Sequence, residues 1–366
     1  MDEQPLVPDY SGACVCNIVP ALLDPACRVP GWLPAGVGDA DQVVLFVIDG
    51  LGWCQLQQRL SLMPTLAAME GGPISTVAPS TTSTALTSIT TGLTPGLHGV
   101  IGYRMDVDGE VLNVLRWTVA NRDARDLIAP EKIQPARPFL EQRPPLITRT
   151  EFFESGFTHA HLDGARIHGY RVTSTIVAEA KRLLRASEPF VNCYYEGIDK
   201  VAHEFGLEDH YEAELRATDH LVADLIEALP RHATLLVVAD HGQVDVGKRI
   251  ERINPDVLAL TSMLSGEGRF RWLHARAGRA DQLIEVASAR HGDTAWVLSR
   301  DEIIEAGWFG PTVAAAVRQR LGDVALVARD PVAFFDPDDT GPYVMLARHG
   351  SLTEDEMLVP LLAARS

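Results

Sequence analysis

Two apolar runs that each end in aspartate constrain this chain more than any other feature. Residues 43–50 read VVLFVIDG and residues 233–242 read ATLLVVADHG. A β-branched run with no polar residue alternating through it is how a strand covered on both faces reads. PFVNCYYEGID (189–199) and PYVMLARHG (342–350) read as two more such strands. Between them, VTSTIVAEAKRLLRA (172–186) and YEAELRATDHLVADLIEAL (211–229) repeat apolar residues at helical spacing. Strands alternating with helices predict an α/β fold: a mostly parallel central sheet with helices on both faces. Residues 1–40, rich in Pro and Gly, read as an irregular leader wrapped on the surface, and 104–150 as a loop-rich excursion. Roughly 243–341 reads as an insertion between two core strands, partly a small cap near the site. Ligands of such sheets bind at the carboxyl ends of the strands. Asp49, Asp199, Asp240 and His349 each fall just past a predicted strand.

Composition narrows the function classes. A hydrophobic fraction of 46% supplies a large core, and 22% charged residues is ordinary for a globular chain, so extensive disorder is excluded. The net charge of −17 repels nucleic-acid polymers and anionic membranes. An anionic substrate then needs local positive charge, which bound cations can supply. Five cysteines without paired CxxC spacing indicate neither a disulfide framework nor a Cys-rich zinc site. The N-terminus lacks a basic region followed by an apolar one, and no run reaches the ~18 residues that span a bilayer. A soluble cytoplasmic protein is the expectation.

Asp199 and His203 stand four apart, on one face if the segment is helical. Alone, this pair is equally a surface i,i+4 contact. Asp240-His241-Gly242 follows a strand directly, and His349-Gly350 repeats the pattern; either is also an ordinary turn out of a strand. A lone Asp49-Gly50 is most often just a turn. Together they offer three carboxylates and three imidazoles, which suits two Zn²⁺ ions with three protein ligands each and open positions for substrate. Two metals about 4 Å apart can hold the attacking and leaving oxygens of a displacement at phosphorus. The Ser/Thr-rich stretch 78–99 predicts a helix from about Thr82 to Thr91, bounded by Pro79 and Gly92. A hydroxyl at that N-terminus is either a cap or a group presented beside free backbone N–H donors that bind anions.

At this point the chain resembles the alkaline phosphatase superfamily, and within it the nucleotide pyrophosphatase/phosphodiesterase (type I phosphodiesterase) branch. The resemblance rests on Asp49, Pro79-Ser80-Thr81-Thr82, Thr91-Gly92-Leu93, Pro95 to Gly99, Asp199 to His203, Asp240-His241-Gly242 and His349-Gly350, in that order. It implies one alkaline-phosphatase-like catalytic domain over 1–366 with two Zn²⁺ per chain. Asp199, His203 and His349 would hold one ion; Asp49, Asp240 and His241, with the Thr82 oxygen, the other. Thr82 would attack phosphorus and form a phosphothreonine that water then releases. The Ser83 backbone N–H would hold a non-bridging oxygen. His98 matches a motif position that is not a ligand in the family and is read as structural. One position departs: the family carries an Asn shortly after the His-Gly turn, and Tyr103 stands there. Its hydroxyl could donate the same bond to the phosphoryl group at longer reach.

The implied activity is hydrolysis of phosphodiester or nucleotide pyrophosphate bonds in a small-molecule substrate. A phosphomonoesterase, phosphonate hydrolase or phosphomutase on the same scaffold is the alternative. Sulfatases of this superfamily need Cys or Ser at the nucleophile, which Thr82 is not. A metal-stabilised binding protein without catalysis is the non-enzyme alternative, and the intact nucleophile and ligand set argue against it.

Overall fold

The computed structural model describes residues 4–339 and 344–365. The elements that position the site are strands β1 (Gln42–Ile48), β2 (Glu70–Ser75), β3 (Pro145–Arg149), β4 (Arg166–Tyr170), β5 (Phe190–Tyr195), β6 (Ala233–Val238), β7 (Thr261–Glu267), β8 (Phe270–Ala275), β9 (Ala295–Ser299), β10 (Val324–Ala328) and β11 (Leu358–Arg365). The helices are α1 (Thr82–Thr91), α2 (Gly156–His161), α3 (Ser174–Arg185), α4 (Gly197–Phe205), α5 (Asp209–Glu227) and α6 (Ala280–His291).

A seven-stranded sheet runs in the order β2-β11-β6-β1-β5-β3-β4. From β6 to β4 every neighbour is parallel, and β11 runs antiparallel to both β6 and β2. Consecutive residues of β1 and β6 are buried without alternation, so both faces of the sheet are covered. This is the α/β architecture the apolar runs predict. Val47 lies level with Val238, and Ile48 with Tyr195. Asp49, Asp240 and the start of α4 therefore leave the sheet side by side.

Three readings of the sequence need correction. Of the predicted strand at 342–350, residues 342 and 343 lie outside the described residues and the rest is no part of the central sheet: Ala347–Arg348 pair with Val244–Asp245, and Gly350 bridges to Ser80. The sheet position goes instead to β11. Residues 145–149 are a central strand, although they fall in the stretch read as loop-rich. The leader is surface wrapping only in part: residues 24–29 are exposed, whereas Cys14, Val15, Cys16, Ile18 and Val19 are at most 1% exposed and belong to the core. All five cysteines are free.

Residues 261–328 build a second, antiparallel sheet in the order β7-β8-β10-β9. It closes a core of its own with α6, including Leu273, Leu283, Ala287 and Leu326. The tip of its β7–β8 hairpin drives Arg269 into the main body, where the guanidinium meets the Glu356 carboxylate through two bonds of 2.7 and 2.8 Å. Both side chains are fully buried, so the pair stands on its bidentate geometry and on further donors to the carboxylate from Ser351 and Thr353.

Helix α1 is buried at every position despite six Ser/Thr after Thr82. Its hydroxyls bond back to the preceding turn: Thr87 to the Ser83 carbonyl at 2.7 Å, Thr90 to Leu86 at 2.9 Å and Thr91 to Thr87 at 2.6 Å. Ser88 is met by His98. That ring accepts the Val100 N–H on Nδ1 and so donates from Nε2 to the Ser88 hydroxyl at 2.8 Å. Burial, and then the Arg320 guanidinium, lower the His98 pKa from 6.5 to about 3. Burial lowers His161 to about 4. The unfolded chain protonates these rings below pH 6.5 and the folded chain does not. Stability should therefore fall by ~1.4 kcal/mol per pH unit per ring as pH drops from about 6.5 towards 4. Melting temperature against pH tests this: His98→Gln should flatten the slope in that window, and an unchanged slope would remove His98 from the account.

Candidate active site

Six side chains converge where β1, β5 and β6 end. His241 Nε2 lies 3.3 Å from Asp49 Oδ1 and 3.5 Å from Asp240 Oδ2. His203 Nε2 and His349 Nε2 lie 3.3 and 3.7 Å from Asp199 Oδ1. The rings of His241 and His349 stack at 3.6 Å, joining the two groups. Two sets of ligand atoms fall within 4.8 Å of one another: Asp49, Asp240 and His241, and Asp199, His241 and His349. The sequence-level split pairs Asp199 with His203 and His349; here His241 is shared between the sets and His203 stands beside Asp199.

The imidazoles are all oriented the same way. Nδ1 of His203, His241 and His349 meets the carbonyl oxygens of Ala347, Gly242 and Ser80 at 2.8, 3.0 and 2.9 Å. A carbonyl only accepts, so each Nδ1 carries the hydrogen and each Nε2 turns a lone pair toward the carboxylates, the arrangement that prepares a histidine to bind metal. Asp49 Oδ1 and Asp240 Oδ2 are buried with no hydrogen-bond partner. Lone pairs facing unpaired buried carboxylate oxygens are costly unless a cation lies between them. The donor set fits divalent metal on that ground.

Without a cation, protons take its place. Burial works against charge on His241, and the carboxylates of Asp240 and Asp49 overcome it and raise its pKa to about 10. Burial raises the carboxyls of Asp199 and Asp240 above the usual range, and Asp49 adds to both. Burial, then His241 and His203, push His349 well down.

Thr82 opens α1, and its Oγ1 lies 3.1 Å from His241 Nε2. The N-cap is Thr81, whose side chain makes no cap bond, so the first-turn N–H groups stay available. Ser83 sends its hydroxyl away, to the Gly102 carbonyl at 2.9 Å. The Tyr103 hydroxyl accepts a 2.7 Å bond from Asn113.

Four braces escaped the sequence reading. Tyr194 donates to Asp49 Oδ2. Gln243 Nε2 donates to Asp199 Oδ1 at 2.6 Å, and the Gly50 N–H to Asp240 Oδ1 at 3.1 Å. Tyr194 and Gln243 flank the motifs and could have been found by strand alternation and adjacency. Glu267, at the β7–β8 tip, carries no such signal. Burial raises its carboxyl to about 8, against the lowering effects of the Thr81 side chain and His241. A Cβ at Gly350 would stand 2.8 Å from Glu267 Cγ, so the glycine after His349 makes room for it.

The model of the type I phosphodiesterase/nucleotide pyrophosphatase family matches residues 43–352. The chain belongs to that family. Murine ectonucleotide pyrophosphatase/phosphodiesterase 5 superposes with a TM-score of 0.67 at 16% identity, over 88% of this chain and 87% of that one. The human protein of that name gives 0.64 at 17% identity, with the same coverage. Phosphonoacetate hydrolase from Sinorhizobium meliloti 1021, solved with phosphonoformate, gives 0.65 at 18% identity over 100% of this chain and 94% of that one. No curated protein matches by sequence. At these identities the likeness carries the fold, which is that of the alkaline phosphatase superfamily. Among the described residues no helix is long and apolar enough to cross a membrane.

Proposed function

We propose that this family member hydrolyses phosphoric esters, preferring phosphodiester or nucleotide pyrophosphate bonds, with Thr82 as nucleophile and phosphothreonine as intermediate. The observation that carries the reading is the 3.1 Å approach of Thr82 Oγ1 to His241 Nε2, beside the unpaired oxygens of Asp49 and Asp240. Asp49, Asp240 and His241, with Thr82, would hold one Zn²⁺, and Asp199, His203 and His349 the other. Bound there, zinc would supply positive charge to the ester oxygens and lower the pKa of the attacking hydroxyl and of the hydrolytic water.

The chain's own residues do the rest. Helix α1 points its N-terminal pole at the incoming phosphoryl group, and the Ser83 N–H donates to a non-bridging oxygen. Tyr103 accepts from Asn113 and therefore keeps its own O–H to give; it stands in for the asparagine of the family. Burial of α1 on all sides fixes the Thr82 backbone, so the oxygen needs no ordering at the moment of attack.

A second reading, hydrolysis of monoesters or phosphonates, draws support from the fold match to phosphonoacetate hydrolase over the whole chain. Comparing bis-p-nitrophenyl phosphate with p-nitrophenyl phosphate separates the two. The diester is expected to win by at least ~10-fold in kcat/KM, a difference of ~1.4 kcal/mol in transition-state binding. A preference for the monoester overturns the diesterase assignment and leaves Thr82 in place.

A further inference from the structure

A cavity of about 220 Å³ opens beside the proposed nucleophile, lined at one end by Asp49, Thr82 and Asp199. Thr82, Leu86 and Ile89 are four and three residues apart on α1, so they follow one another along a single helix face that forms its wall. Leu146, Phe157 and Leu162 face them and make the lining largely apolar.

Most polar side chains around the cavity are already engaged. Thr90 donates to the Leu86 carbonyl, Thr158 to Phe152 and Tyr194 to Asp49. Glu196 accepts from Arg149, Lys200 and Tyr170. Asn192 differs. It comes from β5, is 3% exposed, lines the cavity, and its Oδ1 is buried without a partner. A largely apolar pocket with an unspent, buried acceptor favours a ligand that is apolar but carries a donor to meet it, because a buried polar group left unpaired costs binding.

We infer that this cavity is the subsite for the organic arm of the ester, and that the arm is an apolar, ring-sized group bearing a hydrogen-bond donor for Asn192 rather than a nucleoside, which narrows the proposed substrates to the phosphodiester alternative. The inference rests on the reading of Thr82 as the attacking group. Size agrees: a cavity near 150 Å³ accepts benzene, so this one holds a substituted ring. A nucleoside would bring two ribose hydroxyls and several polar base edges to walls that are largely apolar and most of whose polar groups are committed elsewhere.

The test is binding to the zinc-loaded protein by calorimetry, which does not depend on turnover. Phenylphosphonate should bind at least ~10-fold more tightly than methylphosphonate, from burial of the ring, and more tightly than adenosine monophosphate. 4-Hydroxyphenylphosphonate should gain a further severalfold, and Asn192→Leu should remove that gain while leaving the phenyl advantage. Ile89→Trp, or the less buried Leu115→Trp, should fill the cavity and bring the phenyl-to-methyl ratio toward one. Equal binding of phenyl- and methylphosphonate, or tighter binding of the nucleotide, overturns the inference. So does a filled cavity that keeps the ratio. Failure to hydrolyse any ester, with these binding ratios intact, would instead remove the nucleophile assignment.

Discussion

Thr82→Ala is expected to reduce ester hydrolysis by at least ~10³-fold, because the group that bonds to phosphorus is gone and only binding and electrostatic stabilisation remain. The fold should survive. Thr82 is the first residue of α1, its Oγ1 meets the His241 ring, and the helix is held by back-bonded hydroxyls further along. Thr82→Ser keeps the oxygen and should retain part of the activity. Steady-state rates, circular dichroism and metal content of the three proteins make the comparison. An alanine variant that turns over within tenfold of the parent, with contamination excluded by an active-site-independent purification, would take the nucleophile away from residue 82.

Stripping metal should have the second-largest effect. The parent is expected to hold about two zinc equivalents per chain, the number for which six ligands provide. Dialysis against chelator should abolish hydrolysis and lower the melting temperature by on the order of 5 °C, and zinc should restore both. Three carboxylates, two of them buried, then face one another with only protons to relieve them. His241, held near a pKa of about 10 by Asp240 and Asp49 despite its burial, carries one such proton at neutral pH. Reloading should therefore release at least one proton in excess of solvent effects, read as a dependence of calorimetric enthalpy on the buffer. The sign follows from the raised value: affinity for zinc increases with pH up to about 10. Metal content below one tenth of an equivalent in protein purified without chelator, together with full activity, would sink the metal assignment.

Much of this molecule is legible in the sequence where one residue's chemistry forces one environment. VVLFVIDG and ATLLVVADHG admit no half-exposed strand, and both are central. Thr82–Thr91 starts and ends where Pro79 and Gly92 indicate, since Gly92 takes a left-handed φ of 70° that other residues resist. Strand β11 was hidden by Pro360, which argues against a central strand. Its pairing with β6 begins only at Leu361, so the missing N–H falls outside that ladder. Conversely, 342–350 looks like a strand by content alone. The burial of Cys14 to Val19, and the arrival of Glu267 beside Thr81, depend on long-range packing that local patterning does not encode. Tyr103 illustrates the same limit: position along the chain places it after the His-Gly turn, whereas a neighbouring strand's Asn113 decides where its oxygen goes.

The three imidazoles are steadied from behind by peptide oxygens of residues 80, 242 and 347. Main-chain atoms are common to every amino acid, so no exchange of side chain at those three places deletes the support directly; only a shift of the chain path does. The outer layer of the centre is thus shielded from single-letter drift, which leaves the surrounding walls free to change their clientele while the chemistry stays put.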